Sequence, residues 1–449
     1  MSKEITIYDT LLSYIEEKNA KAILGYISEM EAVDIANFFE QLNNTQREFL
    51  YELMDNELSA EMLLYVDEEE RKDFLKNFST QEIAEEIIGE IDSDDAADII
   101  SELPEEQQNE ILKHLDDDEL AHSIVELLRY EEGTAGSLMA TELVKIDHNL
   151  SIIAAVKEMR KLAEDMDEVY SIYVVDDHDK LLGLLSLKKL LTTSTSTKIS
   201  EVYNSKIRSV QDTESAEDVA RYMQKYDLFE VPVVDILGKL VGRITIDDVM
   251  DFVKEEAEKD YQMASGIAQD IDSTDTIFNM TKARLPWLLI GMMGGLVGSR
   301  VLQGNEHAMQ HVPELIFFVP LIAATAGNIG VQASAIIVQG LANNTLGSNT
   351  FKTLIKEVSV SAASGAILAL IILGFNLLVN QHDTIVAVTI SISLLTVIIV
   401  AAIIGTIIPI FLNKNKIDPA IATGPFITTS NDILGVMIYF SIAKILLSL

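Results

Sequence analysis

Asp432 is the first residue of this chain whose position demands a chemical account. It stands near the middle of an apolar stretch, residues 419–447, after Gly424-Pro425-Phe426-Ile427-Thr428-Thr429-Ser430-Asn431. A carboxylate at the mid-depth of a bilayer costs roughly 2.5–3.5 kcal/mol on insertion scales, so it is kept where it meets a cation, a proton or a buried partner. No Lys or Arg lies near the middle of any apolar stretch, which favours a cation pathway over a structural ion pair; a protonated or relay carboxylate is the other reading. Asn328 and Gln332, in Gly327-Asn328-Ile329-Gly330-Val331-Gln332, together with Thr428 and Asn431, add amide and hydroxyl oxygens. These groups either line the same path or join neighbouring helices by hydrogen bonds. The chain has no cysteine, and His307, His311 and His382 lie outside the spans. Oxygen ligands alone suit Mg²⁺, Ca²⁺ or Mn²⁺ rather than Zn²⁺ or Cu⁺. One carboxylate per chain cannot build a dehydrated Ca²⁺ cage, but it can hold a Mg²⁺ ion that keeps its waters. Two Asp432 side chains on a two-fold axis would match the ion's charge.

A second group of acids lies upstream. Asp94 and Asp98 are four residues apart on one helical face with Asp95 adjacent, and Asp247, Asp251 and Glu255 repeat that spacing, with Asp248 beside them and Glu258 continuing the face. Like charges at this spacing cost about 0.2–0.5 kcal/mol per pair. A solvated acidic surface is the bland explanation. Because the clusters precede a cation-pathway candidate, Mg²⁺ bridging between acidic faces is the expectation taken forward.

The elements that must position these groups follow from composition. Of 449 residues, 33 are Lys or Arg and 71 Asp or Glu, for a net charge of −38, yet the hydrophobic fraction is 48%. Residues 1–280 hold 65 of the acids and 25 of the bases, net −40, whereas residues 281–449 are close to neutral. An acidic soluble half thus precedes an apolar half. The acidic half repels nucleic acid and attracts cations or basic partners. The opening Met-Ser-Lys-Glu-Ile-Thr does not read as a signal peptide, so residues 1–280 are expected in the cytosol. Apolar stretches at roughly 286–303, 314–340, 355–380, 384–412 and 419–447 each reach the ~20 residues a membrane-crossing helix needs. Lys282, Arg284, Lys352, Lys356, Lys414 and Lys416 all fall on the side of the N-terminal half, and Arg300 and Lys444 are exceptions near the other side. The positive-inside rule then places the C-terminus outside. Trp287 is expected as an interfacial ring where the first span begins. The glycine and proline positions inside the second and fifth spans suggest broken or wide helices, tolerated where backbone faces protein or water.

Within the soluble half, Tyr170–Gly183 (YSIYVVDDHDKLLG) aligns with Phe229–Gly242 (FEVPVVDILGKLVG) at an offset of 59, and Ser151–Met159 with Ser215–Met223 at 64. Each copy reads helix, strand, turn, strand, helix. This is the pattern of cystathionine-β-synthase-type (CBS) domains, which pair in tandem. The second copy ends Gly242-Arg243-Ile244-Thr245-Ile246-Asp247-Asp248, resembling the CBS nucleotide signature, which makes Thr245 and Asp248 candidate contacts for an adenine nucleotide. The first copy has Ser186 but Lys189 where the signature acid would stand. Residues 1–130 read as short helices joined by acidic turns, with Ser79-Thr80-Gln81-Glu82 as a capping box. Neither a Walker loop nor a hydrolase motif is present, so no enzyme activity is expected.

The ordered set Arg284-Leu285-Pro286-Trp287-Leu288, Gly327 to Gln332, and Asp418-Pro419-Ala420 through Gly424-Pro425 to Asn431-Asp432 resembles the MgtE family of magnesium channels and transporters over essentially the whole chain. The fold class implied is a multidomain membrane protein. An all-α acidic domain (1–130) is followed by an α/β tandem CBS pair (131–250), a long linking helix (251–280) and a five-helix transmembrane domain (281–449). The resemblance implies a homodimer in the plasma membrane with the ion path on its axis, Asp432 as the carboxylate that receives hydrated Mg²⁺, and Gly327, Asn328, Gly330, Gln332, Thr428 and Asn431 along the wall. It also implies that cytosolic Mg²⁺ acts as a regulatory ligand. The positions that match the family's regulatory acids are Glu61, Asp94, Asp98, Glu217, Asp227, Asp247 and Glu258. The expected mechanism is a charge-controlled gate, closed by Mg²⁺ bridging the acidic faces. The rival readings are a transporter of Mn²⁺, Co²⁺ or Ca²⁺, and a membrane-anchored adenylate sensor.

Overall fold

The structure is a computed structural model that describes residues 2–163, 166, 169–268, 271, 276–342, 346, 350–379, 383–422 and 424–448. It divides into two compact units, residues 1–253 and 254–449, and each is described by itself.

The first unit opens with ten short helices between Ser2 and Leu127. Their N-termini explain part of the acidity. Asp55 accepts from Leu58 N, Asp67 from Glu69 N and Glu70 N, and Asp117 from Glu119 N and Leu120 N. Acids at these positions satisfy amides that have no helical partner and meet the positive end of the helix dipole. Ser79 and Glu82 form the expected capping box, and Asn43 with Gln46 forms another. The apolar faces, among them Ile35, Phe39, Leu50, Leu63, Ile83 and Ile100, join one core that continues into Val219, Met223, Val231 and Ile244 of the second CBS copy.

Each CBS copy contains a three-stranded sheet. In the first, β1 (Val144–Asp147) runs parallel to β2 (Ile172–Val175), which pairs antiparallel with β3 (Leu181–Leu185). In the second, β4 (Val210–Gln211), β5 (Glu230–Val234) and β6 (Leu240–Thr245) repeat the order. The sequence repeat is visible at atomic detail. Both hairpins carry a register shift at equivalent places, Val174/Val175 and Val233/Val234. Asp176 and Asp235 each accept two backbone N–H groups in the turn that follows. The leading strands β1 and β4 add one element to the order read from the sequence; at four and two residues, they are too short for an alternating pattern to reveal.

Among the described residues, the second unit contains five helices long and apolar enough to cross a membrane: Ile277–Gly304, Glu314–Ala342, Thr350–Leu378, Thr384–Lys414 and Gly424–Leu447. Four expectations are corrected. The first helix begins at Ile277, so Pro286 is inside it rather than at its start. The residues of that helix ahead of Pro286 are polar enough to escape an apolar window but still complete helical turns. The second helix runs unbroken through Gly327–Gln332; its glycines serve close packing instead of a break. In the fifth span a 3₁₀ turn (Pro419–Ala422) precedes a helix that runs unbroken from Gly424 to Leu447. The indole Nε1 of Trp287 is buried with no hydrogen-bond partner among the described residues, unlike an interfacial ring with its N–H in water. Gln381 and His382 lie outside the described residues.

Small residues set the packing of the fifth helix. A Cβ on Gly294 of the first helix would meet Thr429 Cγ2 at 1.8 Å, and one on Gly435 would meet Ala326 at 3.0 Å. Gly405 of the fourth helix stands where a Cβ would lie 2.4 Å from the Gly330 carbonyl oxygen. Close backbone approach of this kind is how membrane helices associate when lipid provides no hydrophobic drive. Tyr439 adds a hydrogen bond from its hydroxyl to Leu315 O at 2.9 Å.

Candidate functional site

The membrane site is built on the second and fifth helices. Gly327 and Gly330, three apart, lie on one face of the second helix. A Cβ on Gly330 would stand 1.8 Å from Asn431 Nδ2, and one on Gly327 would stand 3.0 Å from both Asp432 Oδ1 and Thr428 Cγ2. The two glycines are therefore the floor on which the polar turn of the fifth helix rests. Asn431 is 1% exposed, yet neither its Oδ1 nor its Nδ2 finds a partner, and Asp432 Oδ1 is equally unpartnered among the described residues. Buried polar atoms are nearly always paired, so this cluster is one that water, a cation or a second chain completes. Thr428 instead donates to Gly424 O at 3.0 Å, as a helix hydroxyl commonly does. Asn328 and Gln332 are exposed on the opposite side of the glycine face and are not gathered with Asp432.

The start of the fifth helix meets the end of the linking helix, which runs Ile246–Ala264 rather than over residues 251–280. Gly424 has φ of +56°, and a Cβ there would lie 2.4 Å from Ala264 O; Gly266 (φ +80°) likewise stands where a Cβ would lie 2.6 Å from Pro425 Cγ. Helix Ile246–Ala264 thus ends against the turn that opens the helix carrying Asp432, eight residues or about 12 Å upstream of it.

The acidic candidate site lies within the first unit. Asp94 and Asp95 open helix Ser93–Ser101, and Asp247 and Asp248 open helix Ile246–Ala264. Burial first, and then Asp248, Asp95, Asp92 and Glu142, push the Asp94 carboxyl well above the usual carboxylate range. Burial, Asp248, Asp98, Asp92 and Asp247 push Asp95 up to about 7. Burial also raises Asp248, although Thr245 donates both its N–H (2.9 Å) and its hydroxyl (2.5 Å) to Oδ2. Oxygens of Asp92, Asp94 and Glu142 lie within 4.8 Å of one another, a hard-oxygen donor set that fits a divalent cation. Ser93 N and Oγ hold Glu142 Oε2 at 3.3 and 2.9 Å. Tyr65 collects the rest: burial, then Glu61, Asp95, Asp251 and Asp247, raise its phenol.

The predicted acids thus divide. Glu61, Asp94, Asp95, Asp98, Asp247, Asp248 and Asp251 converge on one junction. Glu217 and Asp227 do not: they stand at opposite ends of helix Ala216–Tyr226, about 15 Å apart, and Glu217 pairs with Arg221 at 3.5 Å. Glu255 and Glu258 are exposed on the part of the linking helix that belongs to the second unit. Asp92, Glu142, Tyr65 and Arg243 were missed by sequence reasoning. Asp92 stands two residues before Asp94, ahead of the helix and off the four-residue spacing, and Glu142 has no acid within four residues, so the spacing rule marks neither. For nucleotide binding, Thr245 and Asp248 are engaged with each other. A cavity of about 560 Å³ lies instead in the first copy, lined by residues including Tyr170, Ser171, Leu187, Lys188 and Asn204.

These shifts have a sign. Carboxylates whose folded pKa is raised favour the protonated folded state, so the stability they contribute is present below their unfolded pKa of about 4. It is lost as pH rises through the folded values, about 7 for Asp95 and about 7 for the buried Glu230. In EDTA the soluble half is expected to melt at progressively lower temperature from pH 5 to pH 8, with Mg²⁺ removing most of that slope. A flat melting temperature over this range without metal would show that these carboxylates are not strained.

Family models match three parts of the chain: a divalent cation transporter model over residues 319–442, an MgtE intracellular N domain over 30–133, and CBS domains over 135–195 and 199–255. The magnesium transporter MgtE of Thermus thermophilus is 33% identical over 328 residues, 72% of each chain. That of Enterococcus faecalis is 35% identical over 330 residues, 73% of this chain and 72% of its own. Among solved structures, the cytosolic domain of the Mg²⁺ channel MgtE in complex with ATP superposes with a TM-score of 0.51 at 31% identity, covering 55% of this chain and 99% of that one.

Proposed function

This chain belongs to the MgtE family of magnesium transporters, and on that ground we propose that it conducts Mg²⁺ inward across the plasma membrane and is closed by cytosolic Mg²⁺. The observation that carries the conduction half is the unpartnered Asn431 and Asp432 oxygens seated on Gly327 and Gly330. A water-clad divalent ion satisfies such oxygens without being stripped. A homodimer brings two such clusters to one axis, with the apolar outer face of Leu285, Leu288, Met292, Met293 and Leu296 turned to lipid or to the partner. The inside-negative potential supplies about 2.3 kcal/mol per charge per 100 mV, roughly double for Mg²⁺, so no energy-coupled site is required. The N-terminal half and both ends of the linking helix lie on the cytosolic side in this reading.

The gating half rests on the junction of Asp92, Asp94, Asp95, Glu142, Asp247 and Asp248. Without cations these carboxylates oppose one another. Bound Mg²⁺ draws them together, and the linking helix passes the change to the first turn of the fifth helix through Ala264–Gly424 and Gly266–Pro425. The cavity beside Tyr170 and Lys188 supports a nucleotide in the first CBS copy, the role the ATP complex of the relative suggests. Flux into proteoliposomes tests the reading. Mg²⁺ is expected to enter faster than Mn²⁺, Co²⁺ or Ca²⁺ at equal gradients and to slow as trapped Mg²⁺ rises; equal entry of Ca²⁺, or no dependence on trapped Mg²⁺, defeats the selectivity or the gating part.

A further inference from the structure

Arg243 is a cation buried in the acidic junction. Its side chain is 9% exposed, and its Nε has no partner among the described residues. Nη2 lies 3.5 Å from Asp92 Oδ2, at the start of helix Ser93–Ser101, and Nη1 lies 3.7 Å from Glu230 Oε2, whose side chain is 3% exposed. Tyr173 of the first CBS copy donates to the same Glu230. The guanidinium therefore spans helical domain and second copy, with the first copy tied in through one more hydrogen bond. The backbone of Arg243 joins the same parts. Its N–H donates to Ala140 O and its carbonyl accepts from Ala140 N, both at 2.9 Å. The next residues, Thr141 and Glu142, reach Ser93, whose Oγ accepts from Thr141 N at 3.0 Å.

Burying a charge is costly unless it is paired, and breaking a buried pair costs more than forming it gained. A guanidinium is always charged and offers several donors in a fixed fork, so it is suited to holding two carboxylates at once. Lysine presents a single mobile point charge.

We propose that Arg243 is a positioning residue of the cytosolic metal site, a covalently attached cation that holds Asp92 and the helical domain in place before any divalent ion arrives. The proposal rests on the gating reading only for what the gathered carboxylates then bind. A tethered charge is present at every ion concentration, so the junction begins partly neutralised. Fewer Mg²⁺ ions are then needed to complete it, and closure begins at a lower cytosolic concentration than the carboxylates alone would set. Asp92 is shared: it faces Arg243 on one side and belongs with Asp94 and Glu142 on the other.

Hydrogen–deuterium exchange on the full-length protein in detergent tests this. In EDTA, Arg243→Gln is expected to speed exchange of the segments 92–95 and 139–143 by about tenfold, while helix Ala20–Ile27 and the membrane helices stay unchanged. Added Mg²⁺ restores protection in the variant, which a merely structural role would not show, and Arg243→Lys lies between the two. Asp92→Asn is the companion variant, because Asp92 is 48% exposed and its loss leaves the fold intact; it is expected to reproduce the EDTA effect if Arg243→Gln unfolds the domain. Unchanged exchange in EDTA for the well-folded variant, or a loss that Mg²⁺ does not reverse in the variant although it protects the wild type, overturns the proposal. If Mg²⁺ alters protection in neither wild type nor variant, the gating reading fails, and the EDTA comparison still decides the role of Arg243.

Discussion

Asp432→Ala is expected to abolish Mg²⁺ flux into proteoliposomes, lowering it by ~100-fold or more, the factor that about 3 kcal/mol represents. That is the worth of a charge-assisted contact between one carboxylate and a cation-bound water, and a dimer would lose two of them. Asp432→Asn sharpens the result, because it keeps the volume that rests on Gly327 and removes only the charge. If the asparagine variant folds and still conducts at the wild-type rate, the oxygens beside Asn431 do not form the ion's resting place. Replacement at Asn328 or Gln332, which are exposed away from this cluster, is expected to change flux far less.

Substituting Asp94, Asp98 and Asp247 together by alanine is expected to leave the pore open at high trapped Mg²⁺. A gate that moves from almost wholly open to almost wholly closed requires its ligand to prefer one state by ~10⁴-fold, about 5.5 kcal/mol. Only several carboxylates acting on bridging ions can supply that preference. Asp94 and Asp247 belong to the strained junction, and Asp98 raises Asp95 from the exposed face of the same helix. With these acids gone, flux at high and low trapped Mg²⁺ is expected to be equal. A variant that shuts like the wild type would place the regulatory ions elsewhere, with Glu217 and Asp227 the first positions to test.

The two sites differ in how far they could be read before folding. Asp432 was legible because a lone carboxylate inside an apolar run is a local anomaly, and the spans and the CBS repeat were legible because periodicity and offset are properties of neighbouring residues. Acid spacing along a helix likewise singled out Asp94, Asp95, Asp247 and Asp251, acids that the fold brings into one neighbourhood. The same rule also selected Glu255 and Glu258, which stand exposed on the part of that helix belonging to the second unit; spacing reports a shared helical face but not what that face meets.

Tertiary structure decided everything that depends on partners distant in the chain. Ser93 meets Glu142 across 49 residues, and Asp92 meets Arg243 across 151. Gly330 lies beneath Asn431 only because the second and fifth helices cross there. Helix formation and strand alternation arise from interactions within a few residues. The environment of a buried charge arises from which surfaces the packed core brings together, and no local pattern encodes that.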